Sequence, residues 1–225
     1  MKRPPAINGF DVYRLPEPSG RYVIGADPAE GNPNSDASAL VVLNQHTGEE
    51  CASLAGQFDP TVFAMHIDAV GQWYNRATVM VERGNHGHAV IMWLHEHSYL
   101  EILKGHDDKP GWLSSMKGKA LLYTAAADAF REQETILHSF ATFVQLSSIE
   151  GNTLRAPDGQ HDDRADAYAL ALAAPGPSVY ESRGIIVIGT GKPVRERKPL
   201  ALLTHQEAVY EAPGDVGWEC EDDDD

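Results

Sequence analysis

The stretch RYVIGAD, residues 21–27, followed by Pro28, decides the fold. It is an apolar run too short for a helix and it ends in an acid, the pattern of a buried strand whose last residue, Asp27, reaches the rim of a sheet. Working outward, ASALVVLNQ from Ala37 predicts a second strand. Thr47-Gly48 supplies a turn, and EECASLAGQF from Glu49 a third strand, so that the three form an antiparallel meander. Asp59-Pro60 then reads as an N-cap followed by proline in the first helical position. Val62, Phe63, His66, Ile67, Val70, Trp73 and Tyr74 follow at helical spacing. ATVMVER, residues 77–83, is a β-branched run that predicts a fourth strand ending at Glu82.

Beyond it, Gly84 and Gly87 break the chain before a helix over 88–97, and a Gly/Asp/Pro-rich loop spans 105–111. A longer helix is expected over 115–133 and a short strand pair over 143–156, around Gly151-Asn152. A last helix is expected over 161–174, stopped by the PGP at 175–177. Residues 1–20 hold four prolines and read as a leader. The expected division is a leader over 1–20, one domain over 21–175, and an extension over 176–225. That extension carries the apolar strip GIIVIG, a basic run KPVRERK at 192–198 and an acidic end. The order of elements predicts an α/β fold, a mixed sheet with helices on its faces.

Composition narrows the function. With 225 residues, 42% of them hydrophobic and 23% charged, the chain has globular character. No apolar run approaches the roughly 18 residues a membrane span needs, and the N-terminus lacks the apolar region of a secretory signal. Cys51 and Cys220 are far apart in sequence, which argues for a reducing compartment. A net charge of −15 opposes nucleic-acid binding, and the balance stays acidic without the terminal Glu219, Glu221 and Asp222 to Asp225.

Against that stand the acids at element boundaries. Asp27 and Glu82 end two strands that lie side by side in a mixed sheet, while Asp162, Asp163 and Asp166 sit at the start of the last helix. Each alone has a structural reading: acids cap helices and form turns. Together they form a cluster of charge that needs a counter-ion. Arg83 points away from Glu82 if the strand alternates, and no lysine or arginine is placed by the sequence to neutralise them all. Carboxylates with few histidines suit a hard divalent ion, Mg²⁺ or Mn²⁺, and two such ions sharing a carboxylate serve in-line phosphoryl displacement. His86, His88, His95 and His97 lack the partners or spacing of a zinc site.

The segments YVIGADPAEG, VERGNHG with its following helix, GW with a lysine-bearing helix, and HDDRADAYALA together resemble the nuclease domain of a tailed-bacteriophage terminase large subunit, over about residues 22–174. The resemblance implies a ribonuclease-H-like fold and a two-metal DNA endonuclease that cuts concatemeric viral DNA during packaging. It implies Asp27, Glu82 and one member of the Asp162-Asp163 pair, with Asp163 favoured over Asp162, as catalytic metal ligands, with Asp166 in support and Asp36 as a weaker candidate. Arg83, Lys117, Lys119, His161 and Arg164 are candidate DNA contacts, each of which reads equally as a solvated or packed side chain. Double-stranded DNA, an ATPase motor, a small terminase subunit and a portal are the implied partners, in the cytoplasm of a bacterial host. The chain has no G-x-x-x-x-G-K-[ST], and GTGKP at 189–193 is not a phosphate-binding loop, so ATP hydrolysis is not expected of these residues. A junction resolvase and a non-catalytic module of the same fold are the competing readings.

Overall fold

The computed structural model describes residues 3–32, 36–84 and 86–174. The expected extension over 176–225, with GIIVIG, KPVRERK, GTGKP, Cys220 and the acidic end, lies outside the described residues.

RYVIGAD becomes the centre of the molecule. Strand β2 (Tyr22–Asp27) pairs antiparallel with β3 (Ser38–Asn44), which pairs antiparallel with β4 (Glu50–Gly56). On its other side β2 pairs parallel with β5 (Thr78–Val81). The parallel pairing requires a crossover, supplied by helix α1 (Pro60–Trp73). Asp59 caps that helix by accepting a hydrogen bond from the Thr61 amide at 2.8 Å, with Pro60 at the first position where a missing N–H costs nothing. Helices α2 (Gly87–His97), α3 (Met116–Arg131), α4 (Phe140–Ser148) and α5 (Asp163–Ala173) complete the described chain.

Side-chain alternation in β2 sorts the two faces. Tyr22, Ile24 and Ala26 join Val79 and Val81 of β5 in the core beneath α1 and α2. Val23 faces the other way, with Ala39, Val41 and Leu43 of β3, onto Ala167, Tyr168 and Ala171 of α5. Met80 of β5 joins that second side, with Trp112, Leu122 and Leu170. Since successive strand residues alternate, Asp27 shares the face of Val23, and Glu82 the face of Met80. Both acids therefore point toward α3 and α5. Trp112 extends the β5 edge: its amide donates to the Val81 carbonyl and its carbonyl accepts from the Arg83 amide. It is a buried packing residue whose indole donates to the Gly118 carbonyl.

Two expectations are corrected. Residues 10–12, read as part of a leader, form strand β1 (Phe10–Val12), which pairs antiparallel with β4 and completes the order β1-β4-β3-β2-β5. Phe10 packs edge-on against Trp73, so tertiary contact rather than strand propensity holds this three-residue strand. The expected strand pair over 143–156 is instead α4, capped by Ser139, followed by a single bridge between Glu150 and Arg155. The buried Glu50 fixes α4, accepting hydrogen bonds from the His138 and Ser139 amides at 2.7 Å each. Among the described residues no helix is long and apolar enough to cross a membrane.

Candidate metal centre

Three segments bring acids to one cleft of about 510 Å³. The parallel register of β2 and β5, continued by the Glu82 amide donating to the Ala26 carbonyl at 2.8 Å, sets Asp27 beside Glu82. Helix α5 crosses this end of the sheet with a small-residue face. A Cβ on Gly25 of β2 would collide with the Ala167 carbonyl and the Ala171 amide, so backbone meets backbone here. That approach lowers the first turn of α5 onto the strand ends.

The helix phase then decides which acid goes where. Carboxylate oxygens of Asp27, Glu82 and Asp166 all lie within 4.8 Å of one another. Asp163, one turn earlier, is grouped instead with Asp36 and His161, with ligand atoms likewise within 4.8 Å. The sequence reading put Asp163 with Asp27 and Glu82 and left Asp166 peripheral; the geometry gathers Asp166 there instead. The reason is depth: Asp166 is one turn further along the helix, over the strand ends, while Asp163 and His161 face the loop that carries Asp36. Asp162, the N-cap residue of α5, makes no capping bond with its side chain. It accepts from the Ala156 amide at 3.3 Å and lies 3.8 Å from Lys119.

The electrostatics are those of crowded, buried like charges. Burial first, then the hydrogen bond and charge of Glu82, push the Asp27 carboxyl well above the ordinary range, with Asp166 and Asp163 adding to it. Burial opposes ionisation of Glu82 as well. Hydrogen bonds from Asp27 and Ser114, with the charges of Lys119 and Arg155, nevertheless hold its pKa below the ordinary value. The two shifts run in opposite directions, so the hydrogen bond between the carboxyls favours the proton on Asp27. Burial and the charge of Asp36 push Asp163 up to about 6. Burial likewise pushes Asp166 up to about 6, against the pull of Lys119 and Tyr123.

Lys119 meets part of this acid cluster directly. Its Nζ donates to Asp166 at 2.7 Å, while Tyr123, one turn along α3, donates to the other Asp166 oxygen at 2.6 Å. The other expected basic contacts are dispersed. Arg83 is held by Asp107, outside the cleft, as strand alternation requires. Arg164 reaches Ser53 of β4 at 3.3 Å. Lys117 is exposed on the first turn of α3, and His161 is exposed, 3.3 Å from Asp36. Sequence reasoning missed Ser114, Tyr123 and Arg155. Tyr123 carried a signal, its spacing of four from Lys119 on one helix face; Arg155, brought in by an irregular loop, carried none. His88 and His97 are satisfied by backbone carbonyls of Gly84 and Trp93.

The donor set fits a hard divalent cation: three convergent, crowded carboxylates, of which only Asp166 is bonded directly by a lysine. Comparison with known proteins agrees in fold. Residues 24–174 match the family described as the terminase RNaseH-like domain. No curated protein matches the chain in sequence. The structure is similar to the large terminase nuclease from thermophilic phage G20c with bound magnesium. The TM-score is 0.60 at 19% identity, over 75% of this chain and 89% of that one. The same nuclease with bound cobalt gives a TM-score of 0.63 at 20% identity, over 76% and 89%. The Thermus phage P74-26 large terminase nuclease domain gives 0.60 at 19% identity, over 76% and 87%. The ribonuclease-H-like α/β architecture, a mixed sheet flanked by helices, is therefore what this chain adopts.

Proposed function

Since the chain belongs to the terminase RNaseH-like domain family, we propose that it is a divalent-metal-dependent endodeoxyribonuclease, hydrolysing phosphodiester bonds of concatemeric viral DNA during genome packaging. The observation that carries this reading is the convergence of Asp27, Glu82 and Asp166, from two strand ends and a helix, on one open cleft. These three are the residues that hold a cation. In the two-ion reading, with Mg²⁺ or Mn²⁺, Asp163 supplies the further carboxylate, supported by Asp162; a structural relative holds magnesium.

Divalent ions in such a site supply a nucleophile at neutral pH and neutralise charge on the leaving oxygen. The chain's own residues do the rest. Ser114 and Asp27 orient Glu82 through hydrogen bonds. Lys119 and Tyr123 fix both oxygens of Asp166. Arg155 brings positive charge to a cleft lined mainly by acids, the charge a DNA phosphate needs. His161, exposed at the rim, is positioned to contact a phosphate oxygen or the leaving group. Arg83 and Arg164, tied to Asp107 and Ser53, contribute to local structure rather than to DNA contact. An ATPase motor, a small terminase subunit and a portal, in the host cytoplasm, are the partners this role requires. The domain over 21–175, with the β1 strand added to it, is the nuclease unit of this proposal.

The test is cleavage of supercoiled plasmid with Mn²⁺, Mg²⁺ or EDTA by the wild type and by Asp27→Ala and Asp166→Ala. Metal-dependent nicking and linearisation, lost in both folded variants, is the expected result. Activity that survives both substitutions overturns the site.

A further inference from the structure

We propose that Lys119 is a place-holding cation: its ammonium group neutralises the acid cluster when no divalent ion is bound, and sets the affinity with which Asp27, Glu82 and Asp166 take one. The inference rests on the cation site proposed above and concerns how that site is tuned. Seven carboxylates line the cleft against two permanent cations, Lys119 and Arg155. Of the two, Lys119 bonds directly to a proposed ligand, 2.7 Å from Asp166, and stands 3.8 Å from Asp162. Its side chain is only 13% exposed, so water screens little of this charge. Tyr123 holds the second Asp166 oxygen, so neither oxygen of this carboxylate is free of a donor.

An ammonium and a divalent ion therefore compete for one carboxylate, and they repel each other across it. Removing the lysine charge has two opposite consequences. The metal-free cluster loses its counter-ion and becomes less stable, while the divalent ion loses a competitor and binds more tightly. A lysine that served only to build the site would act in the reverse sense on binding, since its loss would loosen Asp166 and weaken the grip on metal. Tyr123 has that purely orienting role. Both are positioning residues, and the sign of the change in affinity separates them.

The experiment is calorimetric titration of Mn²⁺ into the metal-free full chain, for the wild type, Lys119→Met, Lys119→Gln, Lys119→Arg, Tyr123→Phe and Asp27→Asn. The neutral Lys119 variants are expected to bind Mn²⁺ about tenfold more tightly than wild type, the order of effect one adjacent charge has at a partly screened site. Lys119→Arg keeps the charge and is expected within about twofold of wild type, and Tyr123→Phe is expected to bind more weakly. In EDTA the neutral variants melt below wild type. Unchanged or weaker Mn²⁺ binding by Lys119→Met and Lys119→Gln overturns the proposal. If neither neutral variant folds, the Lys119 Nζ resonance of ¹⁵N-lysine-labelled wild type decides: it is expected to shift on saturation with Mg²⁺, and a signal that does not move overturns the proposal. A wild type that binds no Mn²⁺, and so matches Asp27→Asn, overturns the underlying cation site instead.

Discussion

Asp163 and Asp166 lie one turn apart on α5, yet the fold gives them different neighbours, and substitution should tell them apart. Asp166 lies against Asp27 and Glu82, with Lys119 and Tyr123 on its two oxygens. Asp163 lies between Asp36 and His161. Asp166→Asn is expected to lower plasmid cleavage on the order of 10³-fold, as loss of a direct charge-stabilising group does. Asp163→Asn is expected to cost about 10- to 100-fold, measured as initial rates at saturating Mn²⁺. Equal losses would mean that both carboxylates bind the ion. The same crowding makes the metal-free protein sensitive to pH. Asp27, Asp163 and Asp166 are all raised, the last two from 3.8 to about 6. A carboxyl raised by folding stabilises the native state below its unfolded value and loses that contribution as pH rises through its folded value. Glu82, which is lowered, works in the opposite sense, one group against three. In EDTA the cluster's own contribution to stability, read as the melting-temperature difference between wild type and Asp166→Asn, is therefore expected to fall from about pH 4 to pH 7. Saturating Mg²⁺ should flatten or reverse that slope, as scanning calorimetry at each pH would record.

The contact between β2 and α5 transmits the fold to the site. Gly25 is the one residue of YVIGAD without a Cβ, at the point where α5 backbone lies on the strand. Gly25→Ala must push the helix off the sheet and carry Asp166 away from Asp27. The expected cost is about 1–3 kcal/mol of stability by urea unfolding, together with loss of the thermal shift on adding Mn²⁺. An alanine variant that keeps both would mean that the helix yields without moving the carboxylate. This scale also explains what was readable beforehand. The apolar runs at 22–27, 38–44, 50–56 and 77–83, and the Asp59-Pro60 helix start, are local signals, and they pointed to the meander, the helix after it and a fourth strand beside the first, as the fold has them. Phe10–Val12 is too short to signal a strand and is recruited only because β4 offers an edge and Trp73 a surface. The V/Q/L/I content of 143–149 looks like strand until Ser139 and Glu50 supply the start of a helix. The acids themselves were legible because strand ends and helix starts are local features. Their partition was not, because which of Asp163 and Asp166 faces the sheet depends on how α5 crosses it. The Lys119 contact, 47 residues apart in sequence from Asp166, depends on α3 packing against α5.

Taken whole, the molecule joins a nuclease-type cleft to a strongly acidic chain, and that combination makes a specific demand on DNA binding. Of the basic residues considered for DNA contact, Arg83 and Arg164 are tied to Asp107 and Ser53. Lys119 and Arg155 line the cleft, Lys119 is itself engaged by carboxylates, and Lys117 is exposed on the first turn of α3. Each phosphate neutralised contributes a slope of about −0.9 to the dependence of log K on log salt concentration for duplex DNA. Two or three contacts therefore predict a shallow slope, about −2 to −3, and weak binding throughout. Since the cleft is lined by seven carboxylates, binding should also require a divalent ion to offset repulsion of the phosphates. Fluorescence anisotropy with labelled duplex, in Ca²⁺ to suppress cleavage and in EDTA, measures both quantities. Binding only with Ca²⁺ and a slope near −2 to −3 would mean that the domain holds DNA through its ion and a few contacts, so that a partner must deliver the substrate to it. Tight binding in EDTA with a slope of about −6 or steeper would reveal a basic surface beyond these residues. The acidic cleft would then be where DNA is cut and not where it is gripped.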